Sequence, residues 1–222
     1  MTASLTKRYS AYSTFQVNYT YSHSLDDVTD YNSAFAAHDP TNLQLEKASS
    51  AFDIRHNVVA NGVFNSPWKA GQDAGVLGRI LGDVTLSPIV YLRSGIPFSL
   101  LLGGDRNGDN HGGDRPYFAS RNTGLGANFY SWDMRLNKQF FFNRDRGIRA
   151  DFVIEGVNLL NHTNFQAVNN LSAGNNPKFL VGPFADGVFN VRGDKSLPQS
   201  APFGFASSFD PRRIQIGLKI AF

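Results

Sequence analysis

The sequence contains no cysteine, no long apolar run and no block of like charge. The absence of cysteine is compatible with passage through an oxidising compartment, although many small proteins lack it too. No apolar stretch approaches the ~18 residues that a transmembrane helix needs, and the mean hydropathy is −0.27. The formal charge of +3 is spread along the chain, which argues against nucleic-acid binding.

No secretion leader is recognisable in the first residues of the given sequence. Met1 is followed by TASLTKRYSAY, which has neither an apolar core nor a small-residue cleavage site. Either the numbering starts after processing, or residues 1–222 are a single C-terminal segment of a longer domain. We favour the second interpretation, because the first predicted strand begins near the start of the chain, at Tyr9.

Aromatic residues and turn formers are abundant. The chain has 19 Phe, 8 Tyr and 2 Trp, a load that is typical of proteins whose rings form girdles at membrane interfaces. The 21 Gly and 10 Pro indicate long, irregular segments between strands.

The last residues, RRIQIGLKIAF, alternate between apolar and other side chains and stop on an aromatic ring. Period-2 alternation predicts a strand with one apolar face. The segment resembles the closing strand of bacterial outer-membrane barrels, whose pattern of polar, glycine, apolar and aromatic residues is read by the outer-membrane assembly machinery. In this sequence the pattern falls on Gln215, Gly217, Ile220 and Phe222.

Alternation of the same kind predicts six strands in all. They are Tyr9–His23, Asp53–Phe64, Gly82–Arg93, Tyr130–Phe141, Ile148–Asn158 and the closing strand. Strands of 11 to 15 residues exceed the mode of ~5–6 in soluble sheets. The predicted fold is therefore all-β: an antiparallel meander that forms part of a larger transmembrane barrel.

The lengths of the connections favour a barrel over a soluble sandwich. Three of the predicted connections are long and would leave the same end of the sheet: Leu25–Phe52, Ser94–Phe129 and Leu159–Pro211. Outer-membrane barrels have long external loops and short periplasmic turns. The alternative is a soluble sandwich that buries Phe15, Val84, Trp132, Phe152 and Ile216 in one core.

Charged residues fall on the polar face of the predicted strands. They are Arg55, Arg93, Asp133, Arg135, Arg149, Asp151 and Glu155. They could line a solute path inside the barrel, or they could form cross-strand ion pairs that keep a wet wall compatible with water. For any single residue the structural role is the simpler interpretation.

The loop GGDRNGDNHGGDRP offers one candidate metal site. Asp105, Asn107 and Asp109 are spaced like the first ligands of an EF-hand loop, with Asp114 as a substitute for the last. The pattern then fails, because Asn110 and Pro116 stand where glycine and glutamate belong. Calcium is the only cofactor that the sequence suggests, and a solvated polar loop is the simpler alternative.

No catalytic arrangement is recognisable, so an enzyme is not expected. The five histidines are scattered without metal-ligand spacing. Serine, histidine and aspartate residues do not occur in the context of a nucleophile elbow.

Several segments, in order, resemble the C-terminal part of TonB-dependent outer-membrane receptors of the Oar-like, acidobacterial type. They are SLTKRYSAYSTFQVNYTYSHSLDD, AFDIRHNVVANGVF, IVYLRSGIPF, DRNGDNHGGDRP, EGVNLLNHTNF and FDPRRIQIGLKIAF. The resemblance runs from about Leu5 to Phe222 and implies a 22-stranded barrel with a plugged lumen. It also implies import of a scarce or bulky solute, driven by the TonB complex.

The resemblance implies a location in the outer membrane of a Gram-negative-type bacterium. The implied partners are outer-membrane lipid, the assembly machinery, an unknown solute and, through N-terminal parts absent from this sequence, the TonB complex. Two alternatives remain. One is a small autonomous barrel that acts as an adhesin or narrow pore, with a further hairpin at Phe179–Val191. The other is a secreted β-domain that binds a polymer.

Overall fold

A computed structural model describes residues 1–10, 12–28, 37–69, 75–111, 113–116, 119–171, 195–199 and 203–222. The predicted hairpin at Phe179–Val191 lies outside these ranges. In chain order the strands are β1 Thr2–Ser10, β2 Ser13–Tyr21, β3 Leu25–Asp26, β4 Ala48–Ser49, β5 His56–Asn65, β6 Val84–Arg93, β7 Pro97–Phe98, β8 Gly124–Leu125, β9 Phe129–Asn143, β10 Ile148–Val157, β11 Phe165–Val168, β12 Phe205–Ser208 and β13 Arg213–Ala221. A 3₁₀ turn spans Leu43–Glu46, and helix α1 spans Gly75–Leu81.

Seven long strands form one antiparallel sheet in the order β1-β2-β5-β6-β9-β10-β13. Each is 9 to 15 residues long, enough for a tilted strand to cross a bilayer. Among the described residues, β1 pairs only with β2 and β13 only with β10. The predicted meander and partial barrel are thus confirmed, with the barrel still open.

The prediction of the first strand was wrong. The segment Tyr9–His23 is not one strand, because the chain turns just before Ser13, and Tyr9 and Ser10 belong to β1. β1 escaped prediction because Leu5 is its one large aliphatic residue and the turn contains neither glycine nor asparagine. Pairing with β2 stabilises it, since Thr2 lies opposite Thr20 and Leu5 opposite Val17.

The register places the predicted apolar residues of all strands on one face of the sheet. One row across four strands consists of Val17, Ala60, Val90 and Trp132. A second row consists of Phe64, Leu86, Leu136, Ile154 and Ile216. These residues do not form a dry sandwich core, because Trp132 is 36% and Ile216 69% exposed. The described sheet therefore lacks the dry core that the soluble alternative requires.

The two ends of the sheet differ in their connections. One end of the sheet, here called the turn end, carries three connections. They are the turn before β2, the segment with α1 and the turn between β9 and β10. The three long connections lie at the other, the loop end, as the sequence predicts. They carry the short pairs β3–β4, β7–β8 and β11–β12.

At the turn end, α1 packs against a lysine of the apolar face. Lys138 lies opposite Val84 and Phe152 and is only 8% exposed. Its Nζ donates to the carbonyl oxygens of Arg79 and Ile80, each at 3.1 Å, and to that of Gly82. A cation at the last carbonyls of a helix stabilises its C-terminus. In the described parts of the chain, no helix has the length and apolar character needed to cross a membrane.

Most of the buried residues lie at the loop end rather than in the sheet. Leu100 is fully buried, and it packs with Ala119, Phe98 and Phe203. The buried polar residues there include Glu46, Asp53, Asp114, Arg115 and Arg121. We call the described residues of the three long connections the loop cap.

Candidate functional site

Six of the seven predicted inward charges lie on the polar face of the sheet, and Arg55 lies just before β5. Arg135 is directly opposite Glu155, and their side chains form an ion pair of 3.3 Å. Arg149 pairs with Asp151 at 3.2 Å on the same strand. These four charges neutralise one another locally, as expected for a wet wall.

Arg55 belongs to the base of the loop cap. Its Nη2 lies 3.1 Å from Asp53 Oδ2, and the Asp53 side chain is almost fully buried. The other carboxylate oxygen of Asp53 accepts the backbone N–H of Ser24 at 3.0 Å. The pair fixes the entry into β5, and a role of Arg55 in a solute path stays a prediction.

Asp133 holds the junction between β10 and its long loop. Its Oδ1 accepts the Ser131 hydroxyl at 2.6 Å and the Asn158 backbone N–H at 2.9 Å. Asn158 in turn donates from its side chain to the carbonyl of His162. Asn158 has a positive φ of 52°, a conformation that asparagine tolerates better than most residues. This accounts for the asparagine at position 158 of the EGVNLLNHTNF segment.

Arg93 has a different environment from the other six. Its guanidinium carbon lies 4.5 Å from the ring centre of Phe129 and 5.6 Å from that of Phe209. The two rings meet edge to face at 5.3 Å. Within the described part of the chain, Arg93 has no carboxylate within ion-pair distance.

A cleft of about 540 Å³ opens around Arg93 on the polar face, next to the loop cap. We call it the Arg93 cleft. Its lining includes Tyr91, Ser131, Asp133, Asn164 and Gln166, together with both phenylalanine rings. Its volume is within the range of small-molecule sites, about 300–1,000 Å³.

The strongest polar contacts of the loop cap centre on Glu46. Arg115 donates from both terminal nitrogens to the Glu46 carboxylate, at 2.7 and 2.8 Å, and the backbone N–H of His38 donates to it at 2.8 Å. Burial raises the pKa of Glu46, but these hydrogen bonds and the nearby arginines outweigh it, so the pKa lies below its ordinary value. Glu46 is 1% exposed and stays ionised at neutral pH.

Arg121 connects the same loops at a second point. Its Nε donates to the Glu46 carbonyl at 2.7 Å, and its Nη2 reaches the Asp26 carboxylate and carbonyl. Asn122 adds a hydrogen bond of 2.7 Å to the carbonyl of Ser49. Sequence reasoning did not find these residues, because the partners are 69 or more positions apart and no local spacing relates them.

The Asp105–Asp114 loop uses its carboxylates to hold its own backbone. Asp105 accepts the N–H groups of Gly108, Asp109 and Asn110 at 2.6, 3.2 and 2.8 Å. Asp114 accepts those of Arg106 and Asn107. No group of three or more His, Cys, Asp or Glu residues suited to a metal occurs in the part of the chain that the structure describes.

Asn107 and Asp109 form a second contact in that loop. The Asn107 amide donates to Asp109 Oδ2 at 3.0 Å, and the Asp109 N–H donates to Asn107 Oδ1 at 3.0 Å. The amide of Asn107 and the N–H of His111 lower the pKa of Asp109. Calcium binding by this loop stays a prediction.

The closing strand is exposed along its outer edge. Gln215 and Gly217 lie on the polar face opposite Glu155 and Val153. Ile220 is 61% and Phe222 fully exposed. A Cβ added to Gly217 would meet no atom within 4 Å, so packing inside this sheet does not require the glycine.

Comparison with known families places this geometry in context. The family model described as an outer membrane beta barrel domain matches residues 1–120, more than half of the chain. The chain belongs to this outer membrane β-barrel family. Neither the curated proteins nor the solved structures give a significant match.

The barrel family gives the two ends of the sheet a physical meaning. The protein is located in the outer membrane. Because barrels of this kind are apolar outside and polar inside, we expect the apolar face to contact lipid and the polar face to turn to the barrel interior. Barrels of this kind place long loops outside and short turns in the periplasm. We therefore expect the loop cap and the Arg93 cleft to lie at the external end.

Proposed function

We propose that the chain is the C-terminal barrel part of a TonB-dependent transporter that imports a scarce or bulky solute. The observation that carries the proposal is the open sheet. Its edge strands β1 and β13 each pair on one side only in the described residues, and β13 is exposed along nearly its whole length. An unpaired strand edge in lipid is strongly unfavourable, so further strands are needed to close the ring.

The size of the implied barrel fits a wide lumen. Eight strands enclose a space that their own side chains nearly fill, so seven strands alone leave no room for a solute. The polar face nevertheless carries a cleft of about 540 Å³. A larger ring would place this cleft on the wall of a solute-sized interior.

The loop cap supports a receptor role. The buried Glu46–Arg115 pair and the Asp26–Arg121 pair fix two external loops against each other. External loops that fold on one another can present a defined surface to a solute arriving from outside, whereas a simple pore needs no such order.

Binding to TonB tests the proposal. The full-length gene product, purified from outer membranes in detergent, should bind the periplasmic domain of TonB from the same bacterium in isothermal titration calorimetry. Deleting its N-terminal residues should abolish the binding. A full-length product that lacks any segment before this barrel, or that does not bind TonB, would overturn the proposal and leave a small pore or adhesin.

A further inference from the structure

We infer that the Arg93 cleft binds an oxyanion, a carboxylate or phosphate group, of the transported solute. This inference rests on the proposed transport function, because it names the chemical class of that solute. The inference rests on the position of the Arg93 guanidinium, which is oriented by an aromatic ring and has no acidic partner. It lies on the wall of a cleft that faces the barrel interior at the external end.

The charges around the cleft leave one cation available. Arg213 is paired with Asp210 at 2.8 Å. Asp133 is engaged by Ser131 and Asn158. Among the described residues that line the cleft, Arg93 is the remaining cation and has no hydrogen-bond acceptor.

The neighbours of Arg93 in the sheet confirm that no acid approaches it along its row. Arg93 lies at the end of β6, opposite Asn57 on β5 and Phe129 on β9. The next residue in this row is Thr20, opposite Asn57. A half-buried guanidinium in such a row has no acid beside it and can donate to an anion that enters the cleft.

The two phenylalanine rings orient the guanidinium. Stacking against Phe129 and Phe209 holds the planar group by cation–π contact and restricts its rotamers. Arginine presents a planar fork of donors that matches the two oxygens of a carboxylate or phosphate. Pre-orientation of this kind lowers the entropy lost on binding.

Asp133 makes one part of the cleft unfavourable for an anion. In the register it lies opposite Ile89, four residues before Arg93 on β6. A carboxylate at that position repels an anion from the deeper part of the cleft, so the anionic group is directed to Arg93. Tyr91 and Gln166 line the space between the polar face and the loops and can donate to uncharged parts of the solute.

The test measures binding of simple oxyanions to the full-length protein in detergent. The probes are radiolabelled glucuronate and inorganic phosphate, with glucose as the neutral match of glucuronate, in equilibrium dialysis. We expect saturable binding of at least one oxyanion and binding of glucose at least tenfold weaker. A preference for glucuronate indicates a carboxylate solute, and a preference for phosphate indicates a phosphorylated one. Equal binding of glucuronate and glucose, or no oxyanion binding, would overturn the inference.

Variants then assign the binding to one residue. Arg93→Gln should weaken oxyanion binding about tenfold or more, since it removes a charged donor. Arg93→Lys keeps the charge but loses the fork and the stacking, so its affinity should lie between those of wild type and Arg93→Gln. Arg135→Gln, on the same face but outside the cleft, is the matched control and should bind as wild type does.

The outcomes separate this inference from the transport proposal. Unchanged binding in Arg93→Gln, in a variant that still binds TonB and melts like wild type, would overturn the inference alone. Arg93-dependent binding in a protein that does not bind TonB would overturn TonB-dependent transport and support an anion site in another outer-membrane barrel.

Discussion

Glu46 and Arg115, 69 positions apart in the chain, meet through two hydrogen bonds in the interior of the loop cap. The side chains are 1% and 7% exposed, so the pair is shielded from water on both sides. A buried ion pair of this kind contributes little net free energy compared with apolar residues of the same size. Breaking it by removing one partner is costly, because the other charge stays buried.

Glu46→Gln should loosen the loop cap while the sheet stays folded. The variant leaves Arg115 buried without a counter-charge, and we expect a local cost of about 3–5 kcal/mol. The measurement is trypsin cleavage of the external loops in the full-length protein, with circular dichroism to monitor the sheet. The double variant Glu46→Met with Arg115→Met should recover much of the protection. Equal cleavage of Glu46→Gln and wild type would contradict the role of the pair.

Acid should open the loop cap for the same reason. The pKa of Glu46 is lower in the folded protein than in the unfolded chain, so its contribution to stability is present at neutral pH. That contribution declines as the pH falls below the ordinary glutamate pKa of ~4.3 and is lost below the folded pKa. Loop protection should therefore decrease in this acid range with the sheet still intact. Glu46→Gln, which cannot titrate, should show a smaller decrease.

If the apolar face contacts lipid, lysine substitutions on that face should destabilise the protein more than lysine substitutions on the polar face. Leu218→Lys or Ile154→Lys should cost about 2–4 kcal/mol if the site is near the bilayer midplane. Gln139→Lys, on the polar face opposite Asp151, should cost little. The free energy of unfolding of each variant is measured by urea denaturation in lipid vesicles. Equal costs for the two kinds of variant would contradict the assignment of faces.

The strands and faces could be predicted from sequence wherever alternation was strong. The predicted strand Ile148–Asn158 differs from β10 by one residue at its end. The alternation of Tyr130, Trp132, Met134 and Leu136 likewise places them on the apolar face of the sheet. Successive side chains of a strand point to opposite faces of the sheet. A short alternation of apolar and polar residues is therefore sufficient to assign each residue to a face.

The functional region could be predicted only in part. Arg93 was recognised as an inward charge, but its sequence neighbours do not distinguish it from Arg135, which has an acid opposite it in the register. The partners of Glu46 and Arg121 come from loops far apart in the chain. Such contacts depend on how the loops fold over one another. The loop arrangement cannot be predicted from a periodic pattern in the sequence.

Calcium should bind the Asp105–Asp114 loop no more tightly than about the millimolar range. Asp105 and Asp114 must first release five backbone N–H groups that they now accept. Arg115, which could neutralise the loop, is committed to Glu46. The measurement is protease protection of the full-length protein during a calcium titration, with Asp105→Asn as control. Protection at micromolar calcium that Asp105→Asn abolishes would contradict this expectation and establish a site.

Gly95 in the loop cap has a structural role, whereas Gly217 in the closing strand is expected to have a role in assembly. Variants of the two glycines distinguish these roles. A Cβ at Gly95 would lie 2.0 Å from the carbonyl oxygen of Gly126, so Gly95→Ala requires a shift of the backbone. We expect it to destabilise the loop cap by about 1–3 kcal/mol. Thermal unfolding and loop cleavage of the full-length protein measure this. An unchanged loop cap would show that the two segments separate easily.

Gly217→Ala is the matched variant with the opposite expectation. Because a Cβ at Gly217 meets open space and glycine weakens a strand, the folded sheet should keep or slightly gain stability, by up to about 0.5–1 kcal/mol. If Gln215, Gly217, Ile220 and Phe222 form the assembly signal, the same variant should nevertheless reach the outer membrane in smaller amounts, as should deletion of Phe222. Quantifying the folded protein in outer-membrane fractions, beside its unfolding midpoint after purification, measures the two effects independently. Normal outer-membrane levels of both variants would mean that the closing strand is recognised through other residues.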